Sequence, residues 1–149
     1  MAIGGTVIER MDDRLDAIAA SLAAALPTRT VKRSLLHYTE HSAAELAAGV
    51  VTLVSAGEGD YNKGLGMVAR EGVQRVVLIG HLKVAEGAPG ATVEAAELDL
   101  IEDLKAWARL PSPGMSLRWD SVQHSRQLEN PYGWVVAYLD IGPPRANTY

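Results

Sequence analysis

The chain has 149 residues, 18 acidic and 14 basic side chains, a net charge of −4, 48% hydrophobic residues and no cysteine. This is the size of one core-forming domain, and its acidity excludes a dedicated phosphate-gripping nucleic-acid binder. The missing thiols exclude disulfide frameworks, thiolate metal sites and cysteine nucleophiles.

The amino-terminal MAIGGTVIERMDDRLD lacks the basic start and apolar core of a signal peptide. No apolar run approaches the roughly 20 residues of a spanning helix, so no membrane partner is expected. Val7, Ile8, Met11, Leu15, Ile18, Ala19 and Leu22 recur at three- and four-residue spacing, with charged residues between them, and predict an amphipathic helix ending near Pro27. TVKRSLLHY, between Arg29 and Tyr38, predicts a strand. Ser42 and Glu45 have the spacing of a capping box, and Gly49 is placed to end a helix of about two turns in a left-handed conformation.

Val50, Val51, Thr52, Leu53 and Val54 form a continuous run expected of a central strand buried on both faces. The Gly-rich AGEGDYNKGLG reads as a loop, followed by MVARE and VQRVVLIGHLKV as a hairpin of strands parted by Glu71 and Gly72. Thr92 is the expected N-cap of a second long helix, with Val93, Ala96, Leu100, Ile101, Leu104 and Trp107 on one face, stopped by Pro111 and Pro113. MSLRWDSVQHSRQ and GWVVAYLDI read as a last strand pair joined across LENPYG.

The order predicts an α+β fold: one domain over residues 1–142, with a mostly antiparallel sheet packed against two longer helices and one short helix. Residues 143–149 are expected to be an extended or disordered tail. In the final strand Trp134, Val136 and Tyr138 alternate with Val135, Ala137, Leu139 and Ile141. Helices should cover the second set, and the first set should lie beneath a second helix or, failing that, against a neighbouring subunit.

Several patterns invite chemistry and fall short of it. His37 and His41 are four apart, but His37 belongs to a strand-like run, His41 precedes the Ser42 cap, and HExxH is absent. Lys63 precedes Gly64 instead of following the last glycine, so GEGDYNKGLG is no P-loop. No GxSxG elbow accompanies Ser121, His124 and Ser125. The acidic series Glu94, Glu97, Asp99, Glu102 and Asp103 reads as a solvated helix face. No catalytic residue, metal ligand or cofactor site is therefore assigned, and the chain is not expected to be an enzyme. Glu58, Asp60, Tyr61, Asn62 and Lys63 are the candidate interaction loop. Trp119, Trp134, Val136 and Tyr138 are the candidate sheet interface.

VIERMDDRLDAIAASL, AAELDLIEDLKAWARL and SLRWDSVQHSRQLENPYGWVVAYLDIG follow one another in an order that resembles the tail terminator and minor tail proteins of long-tailed bacteriophages. The resemblance covers nearly all of the chain up to Ile141. It implies a structural virion subunit that assembles as a homo-oligomeric ring, typically a hexamer. Such a ring terminates the tail tube and forms the joining surface for the head.

The implied partners are the tail tube protein and the head connector, with DNA passing through the lumen without specific binding. The implied locations are the virion tail and, during assembly, the host cytoplasm. A head-tail joining or neck protein is the alternative, and a small metal-dependent hydrolase using His37, His41 or His124 the more distant one.

Overall fold

The computed structural model describes residues 10–59, 72–110 and 116–142. Helix α1 spans Met11–Ala25, strand β1 Thr30–Lys32, and a 3₁₀ turn Tyr38–Glu40 leads to helix α2 at Ala43–Ala48. Strands β2 (Val50–Gly59) and β3 (Val73–Lys83), helix α3 (Gly90–Ala108) and strands β4 (Ser116–His124) and β5 (Tyr132–Gly142) follow. Among the described residues they form one sheet of order β1-β2-β3-β5-β4, antiparallel except for the pairing of β1 with β2. The fold is α+β, with two long helices and one short one.

Both long helices lie on the same side of the sheet. In β3 and β5 every second residue is buried and the residues between are half-buried or, at Tyr138, exposed, so each strand turns one set of side chains to the helices. Register aligns Val51 and Leu53 of β2, Gly80 and Leu78 of β3, and Val135 and Ala137 of β5 on that side. Leu15, Ile18 and Leu22 of α1 and Val93, Leu100 and Leu104 of α3 close one core over them. Each fully buried side chain of this size stabilises by about 1.5–3 kcal/mol. The two helices are joined where Trp107 Nε1 donates to Ser21 Oγ at 3.1 Å.

The approach of α3 to the sheet depends on Gly80. A Cβ there would lie 2.5 Å from Leu100 Cδ2, and Leu100 is itself fully buried. Gly80→Ala should therefore cost about 1–3 kcal/mol by overpacking. A urea midpoint indistinguishable from the parent's would show that α3 can ride outward freely.

Local chemistry sets several boundaries. Ser42 Oγ accepts from Glu45 N while Glu45 Oε1 accepts from Ser42 N, completing the capping box, and Gly49 ends α2 at φ 92°. The stretch read as a strand from Arg29 to Tyr38 is paired only over Thr30–Lys32, and its end enters the 3₁₀ turn. Helix α3 starts at Gly90 behind Pro89, ahead of the expected Thr92 cap, and Thr92 N donates to Pro89 O. Proline fixes the extended conformation that the cap position needs.

Strand β2 continues past Val54 to Gly59, with a register shift between Ser55 and Gly57. Glu58, expected in a loop, is thus a strand residue paired with Gln74. Its other expected loop companions, Asp60, Tyr61, Asn62 and Lys63, lie outside the described residues, as do MVARE, the tail 143–149, and Val7 and Ile8 of the first helix.

Candidate functional site

The side of the sheet opposite α1 and α3 carries an apolar band. By register, Val54, Val77 and Tyr138 form one row, and Ile79 and Val136 with the buried Thr52 form the next. Trp134 follows beside His81. Tyr138 is 38% exposed, and Val54, Val77, Ile79, Val136 and Trp134 are half-buried. Among the described residues neither long helix covers this band, although a second helix is expected from sequence over Trp134, Val136 and Tyr138.

Trp119 does not belong with them. It faces Leu139 in register, on the helix side, and packs against the core, lining a groove of about 260 Å³ with Leu117, Lys105, Ala108 and Arg109. The shift between Trp119 and Ser121 offsets β4 by one residue, which strict alternation from sequence cannot foresee.

Polar rows bound the band. On one side Arg75, Asp140 and Arg118 are aligned across β3, β5 and β4, with Arg75 Nε 3.9 Å from Asp140 Oδ1. On the other, the 3₁₀ turn and α2 close over the sheet. Lys32 Nζ lies 3.2 Å from His41 Nδ1 and 3.1 Å from Glu45 Oε2, and His41 Nε2 lies 3.2 Å from His81 Nδ1. An ammonium can only donate, so His41 Nδ1 accepts, and its Nε2–H then donates to His81 Nδ1. Tyr38 packs on Tyr132 at 4.7 Å, and Lys83 Nζ sits 5.0 Å above the Tyr132 ring.

This relay needs both imidazoles neutral. Burial holds His41 below its usual value, with Lys32 adding to the effect and Glu45 and Glu40 opposing it. Burial likewise lowers His81, with His41 and His37 adding to it. A folded value below the unfolded one means that the unfolded chain takes up the proton first. Stability should be complete above the ordinary histidine value of 6.5 and fall as pH drops below it. Urea unfolding from about pH 7.5 down to about pH 5.5 should show this decline, reduced in His81→Gln. A flat profile would remove the relay from the fold's stability.

Glu97 departs furthest from its expected place. It is 0% exposed, not part of a solvated face. Its carboxylate accepts from Trp134 N at 2.9 Å, Ser125 N at 3.4 Å, Ser125 Oγ, and His124 Nδ1 at 3.2 Å. The rest of the acidic series divides: Asp99 and Asp103 hold Arg29, whose Nη1 also donates to Ala48 O, while Glu102 pairs with Lys105.

Ser125 is fully buried and its hydroxyl goes to Glu97, not to His124, so the contact between base and nucleophile that acyl transfer needs is not formed. His37 bonds Thr39 at 2.7 Å and His41 bonds His81, so the spacing of 37 and 41 brings no shared ligand face. Among the described residues no group of three His, Asp or Glu is placed to hold a metal ion.

Sequence reasoning missed His81 and Glu97. The signal for Glu97 was present, because 93, 97, 100, 101 and 104 fall on one helical stripe. No family model and no curated protein matches the chain.

Proposed function

We propose that this chain is a structural subunit that assembles into a homo-oligomeric ring through the open face of its sheet, in the manner of the phage tail terminators its element order resembles. The observation that carries the reading is the half-buried apolar band of Val54, Val77, Ile79, Trp134, Val136 and Tyr138 on the side away from both long helices. A contiguous patch of this kind, rimmed by charge, is the usual mark of a protein contact. A ring needs one surface of each copy to meet a different surface of the next, and a band with unlike polar rows along its two borders suits such a heterologous contact.

The net charge of −4 supports a lumen that lets DNA slide, because acidic walls release no counterions and grip no phosphate. In this reading the ring closes the tail tube and meets the head connector, in the virion tail and beforehand in the host cytoplasm. Mass measurement in solution and negative-stain imaging, alone and with tail tubes, test it. Rings in either condition are expected, and a strict monomer at high concentration with tubes present overturns it. Capture by connector alone, without tube protein, would favour the head-tail joining or neck role.

A further inference from the structure

We propose that the cavity at the turn between β4 and β5 binds a small oxyanion, a phosphate or a carboxylate, through Arg126, His124 and Gln123 beside the Trp134 ring. The inference stands apart from the ring reading. The cavity encloses about 350 Å³ and is lined by Gln123, His124, Arg126 and Trp134. All four of these side chains carry a hydrogen-bond donor, the indole Nε1–H of Trp134 included.

The turn holds Arg126 in an unfavoured backbone conformation. Leu128 N donates to Ser125 O at 3.2 Å, and the two residues enclosed, Arg126 and Gln127, have φ of 57° and 66°. Two successive left-handed residues are the habit of Asn-Gly, and side chains such as these adopt it only under strain. Gln127 has a structural reason to be there, since it closes on Gly90 at the start of α3 and reaches Glu94 at 3.5 Å. The Arg126 side chain has no ion pair or hydrogen bond among the described residues. Backbone strain spent on presenting an unpaired guanidinium points to use of that guanidinium.

His124 is set for the same task from behind. Its Nδ1 is engaged by the buried Glu97, which is itself held by Ser125 and the Trp134 amide. A carboxylate behind an imidazole fixes the ring and leaves Nε2 for a ligand. Among the described residues neither Glu97 nor Glu94 lines the cavity, and Arg126 is the permanently charged side chain that does. A cation would meet Arg126, and an apolar ligand would desolvate these donors without replacing their water. An oxyanion matches a guanidinium fork, an imidazole and an amide together.

The test is a titration of the full chain with inorganic phosphate at constant ionic strength, read from the His124 ring and Trp134 indole NMR signals. Sodium chloride is the control, and acetate is the second arm. Saturable shifts with phosphate are expected. Saturation with acetate as well would show that a carboxylate suffices, and saturation with phosphate alone that the doubly charged anion is required.

Arg126→Gly and Arg126→Asn both suit a positive φ, so they should be no less stable than the parent while losing at least about tenfold in affinity. Shifts that merely follow those of chloride, or an unchanged affinity in these two variants, overturn the proposal.

Discussion

Replacing Glu97 with Ala is expected to remove about 3–5 kcal/mol of stability, the loss that follows when a buried charged acceptor is taken from its donors. The carboxylate is fully buried and receives the Trp134 amide, the Ser125 amide and hydroxyl, and His124 Nδ1. These groups belong to β4, β5 and the turn between them, so one side chain of α3 fastens the whole hairpin end. With Ala in its place the Trp134 amide and the Ser125 hydroxyl would lose their acceptor, each at a cost of about 1–3 kcal/mol, while the Ser125 amide keeps its bond to Trp134 O at 3.1 Å.

Glu97→Gln should cost less, because its carbonyl still accepts, but its amide nitrogen would confront donors where an acceptor is needed. Gly133 leaves no room for adjustment, since a Cβ there would already lie 2.7 Å from Glu97 Oε2 and 2.8 Å from Leu82 Cδ1. Urea midpoints of the parent, Gln and Ala proteins should fall in that order. An Ala variant within about 1 kcal/mol of the parent would mean that water replaces the carboxylate at no cost.

The same residue shows what sequence could and could not reveal. The last strand was legible because its alternation is uninterrupted, and the short helix because Ser42, Glu45 and Gly49 are all local signals. Glu97 was passed over because charge drew it into the acidic series, although its position on the stripe of Val93, Leu100, Ile101 and Leu104 was available. Tertiary hydrogen bonds reversed the usual cost of burial, and composition does not encode them.

His81 is a different case, since its partner His41 is 40 residues away and reaches it only through the parallel pairing of β1 and β2. The extension of β2 through Gly57 to Gly59 was hidden by glycines and a register shift, which break the two-residue rhythm that marks a strand. That both long helices cover the Ala137 face was beyond the strand's own pattern. Alternation separates Val136 from Ala137 but does not say that α1 and α3 share one side.

That asymmetry gives the assembly proposal its sharpest test, the pair Val136→Asp and Ala137→Asp. The two residues are adjacent in β5, with Val136 half-buried on the open band and Ala137 0% exposed against the helices. An aspartate at 137 places an unpaired charge in the core and should leave the chain unfolded, since the cost of several kcal/mol rivals the whole stability of a domain.

At 136 the carboxylate can reach water in the isolated subunit, so the expected cost there is about 1–2 kcal/mol and the fold survives. In a ring the same carboxylate would be enclosed at the centre of every subunit contact. Desolvating it there should cost about 2–5 kcal/mol, a weakening of at least about thirtyfold per contact. Each contact in a closed ring bears the penalty, so Val136→Asp should stay folded by circular dichroism and yield no rings by mass or imaging. Normal rings from a folded Val136→Asp protein would exclude the open sheet face as the surface of assembly.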